Sequence, residues 1–342
     1  MAASNMAFQL PSSLNAVMPP ERRGIRRDRV RMMVLDRQSG ATRHDEFYHI
    51  DRYLKRGDLI VLNNSRTVPA RLTADLLRMN SLIASAAEVR LARRRSESVW
   101  EVWIVTEKAK IGDKLYFSES LYGTIIEEKE NSPIHIVEFS KTGIELYFEI
   151  YSLGEPVRYE YIDHPWALDY YQTVFASIPG SVEMPSAGRA FSWELLFKLQ
   201  KKGIKIAYLQ LHTGLSYLLD DEMESRPEDN YEEYNIPAET MEAILKTRAS
   251  GGRVIAAGTT VVRAVESAVC RTASAGVTNL YIDSSHKLAL VDGIITGLHE
   301  PEASHLDMLS AFVPEDKLLK AYQVAIEQCY LWHEFGDVNL IV

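Results

Sequence analysis

The distribution of apolar residues changes character twice along the chain. Near the start, Val30–Asp36 and Asp58–Asn63 read as short strands, joined by a helical stretch near Ile50–Lys55 that ends at Gly57. From roughly Thr73 to Arg158 the apolar runs are short and strand-like: Glu88–Ala92, Val99–Val105, Lys114–Phe117, Gly123–Glu128 and Ile134–Phe139. Turn signals at Gly112-Asp113, Asn131-Ser132-Pro133 and Thr142-Gly143 separate them. Alternation of the kind seen in Trp100-Glu101-Val102-Trp103-Ile104, repeated at short intervals, predicts a small antiparallel barrel. Beyond Asp163 strands and helices alternate. Helix Ser192–Lys202 is stopped by Gly203 and followed by strand Ile204–Leu211; helix Ala238–Ser250 is stopped by Gly251-Gly252 and followed by strand Val254–Gly258 and helix Thr260–Ala273. Strands Leu280–Asp283 and Ala289–Ile295 and helices Ser304–Phe312 and Pro314–Tyr330 complete the pattern. The expectation is a layered α/β domain, residues 1–72 and 159–342, with a small antiparallel β-barrel domain, residues 73–158, inserted into it.

A hydrophobic share of 46% in 342 residues supports a large core and excludes wholesale disorder. Cys270 and Cys329 provide neither a disulfide framework nor a Cys-x-x-Cys pair, which fits a reducing cytoplasm; buried, they need no role beyond packing. The first twenty residues lack the basic start and apolar stretch of a signal peptide, and no window has the length of a membrane span. A soluble cytoplasmic protein without membrane contact, monomeric or weakly homo-oligomeric, is expected. The net charge of −9 speaks against a polyanionic partner. Local charge runs the other way. Six arginines fall between Arg22 and Arg31, and Arg90, Arg93, Arg94 and Arg95 form a second basic group, whereas acids concentrate from Asp220 to Tyr234. Such asymmetry suits a local phosphate-binding surface and equally a plain solvated one.

Four strings can carry chemistry. In Gly258-Thr259-Thr260-Val-Val-Arg263 a strand runs into a glycine turn and a helix, whose free amides and threonine hydroxyls can receive a carboxylate or phosphate, or merely cap the helix. Arg263 and Glu266 lie three residues apart on that helix, close enough for an ion pair. Asn63-Asn64-Ser65-Arg66-Thr67-Val68-Pro69-Ala70-Arg71 offers amides and guanidiniums suited to polar edges and anions, although its first half is also good turn sequence. Ser186-Ala187-Gly188 is a small-residue turn before a helix, and His212 ends a strand where α/β sheets bind ligands. His299 and His305 flank Glu300-Pro301-Glu302, but the spacing matches no zinc pattern and Pro301 interrupts the helix that would align ligands, so no metal is expected. There is no GxSxG elbow for a serine hydrolase.

Together these strings resemble the S-adenosylmethionine:tRNA ribosyltransferase-isomerases of queuosine biosynthesis. The resemblance runs through PPERRGIRRDRVRMMVLDRQSG, GDLIVLNNSRTVPARL, Tyr171-Gln172-Thr173-Val174-Phe175, Pro185-Ser186-Ala187-Gly188, His212, VIAAGTTVVRAVES, Thr296, His299-x-Pro301 and Phe335-Gly336-Asp337, collinear over nearly the whole chain. It implies an α/β domain with an inserted β-barrel. It also implies transfer of the ribosyl part of S-adenosylmethionine, consumed as co-substrate, to the 7-aminomethyl-7-deazaguanine of a tRNA anticodon arm, with isomerisation to epoxyqueuosine and release of adenine and methionine. On that resemblance Thr259 and Thr260 would bind the methionine carboxylate with Arg263 supporting charge, and Ser186 and Gly188 would belong to the substrate site. Asn63, Asn64, Arg66 and Arg71 would hold ribose hydroxyls, base edges or phosphate. Arg22, Arg23, Arg26 and Arg27 would meet tRNA, and His212, with Glu232 and His299, would supply acid–base chemistry.

The chain also departs from the family pattern. P-T-A-G-L-H-F becomes Pro185-Ser186-Ala187-Gly188-Arg189-Ala190-Phe191, and H-V-G-x-G-T-F becomes His212-Thr213-Gly214-Leu215-Ser216-Tyr217-Leu218. D-H-x-M-H-x-E aligns with RPEDNYE, keeping Glu232, and T-N-F-H-L-P-x-S-T-L becomes Thr296-Gly297-Leu298-His299-Glu300-Pro301-Glu302-Ala303-Ser304-His305. Three readings are open: the full enzyme, a diverged paralogue using S-adenosylmethionine or a nucleoside with another acceptor, and a binding protein that has lost catalysis.

Overall fold

The computed structural model describes residues 8–129, 132–159, 161–215, 231–301 and 303–342. The segment 216–230, with most of the acidic run, and the positions Asn131 and Glu302 lie outside the described residues. In chain order the strands are β1 Arg31–Leu35, β2 Thr42–Glu46, β3 Leu59–Asn63, β4 Ser65–Thr67, β5 Arg71–Arg78, β6 Ser81–Arg94, β7 Val99–Ile104, β8 Lys114–Tyr116 and β9 Tyr122–Glu128. They continue as β10 Ile134–Phe139, β11 Ile178–Ser181, β12 Lys205–His212, β13 Glu232–Asn235, β14 Val254–Ala257, β15 Ala275–Thr278, β16 Gly293–Thr296 and β17 Val338–Ile341. The helices are α1 Gly143–Leu153, α2 Trp193–Lys201, α3 Ala238–Ala249, α4 Thr259–Arg271, α5 Ser304–Ser310 and α6 Glu315–Glu327.

β12, β3, β14 and β16 lie side by side in parallel at the centre of one large sheet, flanked by β13 and β15 on one side and by β17, β1 and β2 on the other. Every residue of β3, Leu59-Ile60-Val61-Leu62-Asn63, is buried because helices cover both faces of the sheet. Leu59 and Val61 pack with Ile244 of α3, Val265 of α4 and Ala321 of α6, whereas Ile60 and Leu62 face Leu195, Leu196 and Leu199 of α2. Ser192 sets the start of α2 by accepting the amide of Leu195 at 3.1 Å, a cap worth about 1 kcal/mol. After β3 the chain leaves this sheet, passes through β4, builds a closed barrel in the order β10-β7-β6-β5-β8-β9, and returns at β11, which pairs with β4 in a separate two-stranded sheet. Leu72, Val89, Trp100, Val102, Ile125 and Val137 fill the barrel, and Leu146 and Ile150 of α1 pack against them.

The layered α/β fold with an inserted antiparallel barrel is therefore as the pattern predicts, with local differences. The stretch near Ile50–Lys55 is a 3-10 turn at Phe47–Arg52. The strand expected at Leu280–Asp283 lies earlier, at β15, where pairing with β13 supplies backbone partners that apolarity alone does not signal. β5, Arg-Leu-Thr-Ala-Asp-Leu-Leu-Arg, has helix-favouring residues but is a barrel strand with Leu72, Ala74 and Leu76 inward. α1 interrupts the strand-rich segment, placing Leu146 and Ile150 one turn apart on the barrel. β2 is a polar edge strand, so it carries no apolar signal. Cys270 and Cys329 are exposed rather than buried. No helix among the described residues is long and apolar enough to cross a membrane.

Candidate active site

The central parallel strands stop at a common level, and the loops that follow them enclose a cleft. Thr213 and Gly214 after β12, Gly258 after β14 and Gly297 after β16 all line it. Gly258 has φ +103° and ψ 156°, a conformation closed to residues with a Cβ, and this lets α4 start abruptly at Thr259. No side chain caps α4, so the amides at its start are left for a ligand, and the helix end favours a negative group there. Thr259, Thr260 and Arg263 line the cleft together with Ser186.

Arg263 does not pair with Glu266. Its guanidinium lies 2.6 Å from Glu232 at the start of β13, the two side chains being 16% and 5% exposed. Glu266 instead accepts the amides of Ala289, Leu290 and Val291 at 2.8–3.2 Å and serves as a buried clamp on the segment before β16. Burial pushes the Glu232 carboxyl above its ordinary range, while the charge of Arg263 and the amide of Gly214 pull the other way. Both groups line the cleft.

The facing wall is rich in imidazoles. His299 Nε2 lies 2.7 Å from Thr296 Oγ1, and the His299 ring stacks on that of His305 at 4.5 Å and 2°. Burial, helped by the neighbouring His305 and His333, holds His299 well below the usual histidine range, so it is neutral. His305 is lowered mainly by burial too. His333 Nδ1 meets Glu300 Oε1 at 2.5 Å, and its ring stacks on Tyr161 at 4.7 Å. Burial alone would raise Glu300, but the hydrogen bond and charge of His333 hold it low. Among the described residues no group of three or more His, Cys, Asp or Glu is placed to hold a metal ion.

Glu334 is the outlier. Burial and the nearby Glu183 push its carboxyl up to about 8, against the opposing Arg189. The native state then keeps a proton that the unfolded chain releases near 4.5, so this residue lowers stability as pH rises from about 4.5 to about 8. Glu334→Gln should therefore raise the melting temperature more at pH 8 than at pH 5; an equal shift at both would show that the carboxyl ionises normally.

Other expected site residues lie elsewhere. His212 is not in the cleft lining: its Nδ1 is 2.7 Å from Ser65 Oγ, which also meets Ser181 Oγ at 2.6 Å, and its ring packs on Gly180. Burial pushes His212 down to about 4, making it a weak base. The Asn63 amide is spent inside the sheet, donating to Leu211 O at 2.8 Å and accepting from Leu211 N and Ser65 N, both at 3.1 Å. It touches the site only through Thr260 Oγ1 at 3.4 Å. The Asn64 backbone is held by Leu209 and Ser177, exposed Arg66 lies 5.7 Å from the Tyr151 ring, and Arg71 pairs with Glu88 and Glu155 at the edge of the barrel. Gly188 is a packing glycine, where a Cβ would meet Phe175 and Thr173 at 3.1 Å.

The arginine clusters are largely compensated. Arg26 meets Asp28 and Glu194, both at 2.7 Å, Arg27 meets Glu21 at 3.0 Å, and Arg23 donates to Phe335 O. Arg22 has no carboxylate partner among the described residues and sits over the rings of Tyr170 and Trp166. Arg90 pairs with Glu88, Arg93 and Arg95 with Glu101, and Arg94 with Glu233, so the second basic group is a set of ion pairs rather than a free phosphate surface. Arg27 nevertheless lines a recess, with Ala190, that shares Ser186, Ala187, His333 and Glu334 with the main cleft. Where the family pattern has leucines, this chain places Glu300 and His305 in the cleft; where it has histidine, Ala190 opens the recess. Spacing could flag Glu300 and His305, but nothing local marks His333 or Glu334, which reach the site only through the fold.

A family model described as "Queuosine biosynthesis protein" matches residues 3–341. The chain is 36% identical over 348 residues to the S-adenosylmethionine:tRNA ribosyltransferase-isomerase of Sulfurihydrogenibium sp. (strain YO3AOP1), and 35% identical over 353 residues to that of Thermoanaerobacter sp. (strain X514). Each alignment covers all of both proteins. The crystal structure of S-adenosylmethionine tRNA ribosyltransferase from Thermotoga maritima is similar with a TM-score of 0.56 and 29% identity, covering 99% of this chain and 100% of that one. The uncapped helix, the buried Glu232–Arg263 pair and the barrel inserted in the α/β layer thus stand in an enzyme that belongs to the S-adenosylmethionine:tRNA ribosyltransferase-isomerase family of queuosine biosynthesis.

Proposed function

We propose that the protein transfers and isomerises the ribosyl moiety of S-adenosylmethionine onto the aminomethyl group of 7-aminomethyl-7-deazaguanine at the tRNA wobble position, giving epoxyqueuosine with release of adenine and methionine. The observation that supports this most is the meeting of an uncapped helix N-terminus with a desolvated carboxylate–guanidinium pair at the C-terminal ends of the parallel strands. The start of α4, with Thr259 and Thr260, receives the carboxylate of the methionine portion. A sulfonium acidifies the ribose carbon beside it, and Glu232, held in place by Arg263, takes that proton. The bonds from sugar to adenine and to sulfur and one bond of the ring oxygen break; the acceptor nitrogen bonds to the sugar, a carbon–carbon bond closes the cyclopentane and the ring oxygen closes the epoxide, while of the two protons released, by the carbon and by the amine, one passes to adenine. His299, neutral and oriented by Thr296, is the proton carrier for the departing adenine.

A second reading is favoured by Glu300 and His305, which make this wall of the cleft more polar than the family pattern: the same chemistry on a different amine acceptor. Purified protein with S-adenosylmethionine should release adenine only when tRNA carrying the precursor base is added. Release with another amine acceptor alone would select the second reading, and no release with any acceptor would overturn both.

A further inference from the structure

The reaction steps above leave one acid of the cleft without a task. Glu232 is matched by Arg263 and Glu300 by His333, but Glu334 has no ion-pair partner among the described residues, and its Oε2 is buried without a hydrogen bond. The groups that face it do not meet that need. Glu183 and Glu300 carry the same charge, and Arg189 is spent on Glu21 and on Tyr170 O, both at 2.8 Å. The hydroxyls of Tyr159, Tyr161 and Tyr171 lie near and are kept protonated by burial. A buried carboxyl oxygen with no partner is costly, and a donor brought by a ligand relieves it. Position says which ligand: Glu334 lines both the cleft and the recess that Ala190 opens, whereas Thr259 and Glu232 line the cleft alone.

The acceptor of the proposed reaction brings such a donor. A primary amine of the lysine kind is an ammonium below about pH 10.4, and its nitrogen cannot form a new bond until a proton is removed. We propose that Glu334 receives the ammonium of the acceptor base and takes one proton from it, acting as the base for nitrogen where Glu232 is the base for carbon. This rests on the proposed function, in which the acceptor is an amine. One N–H bond breaks, the proton passes to the carboxylate, and the freed electron pair forms the nitrogen–sugar bond. The product leaves as a secondary ammonium, and Glu334 returns its proton to water. The ammonium of the methionine portion is placed elsewhere, beside the carboxylate held at the start of α4, in the part of the cleft that the recess does not share. On its own Glu334 keeps its proton up to about 8; an ammonium beside it favours the carboxylate and lowers that value.

The test compares the full-length wild type, Glu334→Gln and Glu334→Asp by adenine release with precursor-bearing tRNA at saturating S-adenosylmethionine, from pH 7 to 9.5, and by S-adenosylmethionine binding. Glu334→Gln should lower kcat/KM for tRNA at least about a hundredfold at pH 7, the loss of a positioned base. Its binding of S-adenosylmethionine should be unchanged, which shows that the variant is folded. Above pH 8 the wild-type profile should level off, because Glu334 is then ionised. The Glu334→Gln profile should instead keep climbing about tenfold per pH unit, as water alone strips the amine toward its own pKa. Glu334→Asp, which keeps a carboxylate, should level off as the wild type does. A Glu334→Gln profile parallel to that of the wild type overturns the assignment and leaves the proposed function standing, since the residue then only shapes the cleft. Weakened S-adenosylmethionine binding with an unchanged profile also overturns it and gives Glu334 to the methionine ammonium. A wild type that releases no adenine with any amine acceptor overturns the proposed function, and this assignment with it.

Discussion

Glu232→Gln is expected to lower kcat for tRNA-dependent adenine release by about 10²–10⁴-fold, the contribution of a positioned general base, while S-adenosylmethionine still binds. The amide keeps the shape of the side chain and removes only its basicity. Glu232 is chosen over His212 on position: it lines the cleft beside the start of α4, whereas His212 is bonded to Ser65 away from the lining and holds its proton only near pH 4. The acidic limb of the kcat/KM profile should lie above the ordinary glutamate value of 4.5, because burial raises this carboxyl, and should vanish in Glu232→Gln. His212→Ala should lower kcat by less than about tenfold, since only positioned acid–base groups contribute more. If His212→Ala is the more damaged of the two, the assignment of the base is wrong.

Arg263→Met should cost about 3–5 kcal/mol of stability near neutral pH, read from urea unfolding. The substitution leaves Glu232 buried beside an apolar side chain, and an unpaired buried carboxylate must either bear its desolvation or take up a proton. The double variant Glu232→Gln/Arg263→Met should recover most of that loss, because two uncharged groups replace a charged pair, yet remain inactive. Recovery of activity along with stability would show that the pair is structural. A loss below about 1 kcal/mol in Arg263→Met would mean that the pair is solvated, as surface ion pairs are.

The residues that could be read along the chain are those whose meaning is local. The Gly-Thr-Thr start of α4 is legible because a strand, a glycine and a helix follow one another without interruption, and the positive φ of Gly258 is what such a turn requires. The barrel is legible through alternation, although β5 and α1 reverse their local preference: inside a closed barrel, packing of Leu72, Ala74 and Leu76, or of Leu146 and Ile150, outweighs propensity. Charge is where linear reading misleads most. ERRGIRRDRVR and Arg90–Arg95 look like phosphate surfaces, but Glu21 within the first string, and Glu101, Glu194 and Glu233 from other elements, neutralise much of them.

The sequence by itself determined most of the alternation of strands and helices, the inserted barrel, the glycine turn into α4 and, through collinear motifs, the family. Those follow from periodicity, turn chemistry and neighbours a few residues apart. Only the tertiary structure decided the partners: Arg263 with Glu232 rather than Glu266, His333 with Glu300, His299 against His305, and the withdrawal of His212 and Asn63 into hydrogen bonds outside the cleft. The physical reason is that a charged or polar side chain is defined by what it meets after burial, and parallel strands from distant parts of the chain bring those partners together only at their shared ends.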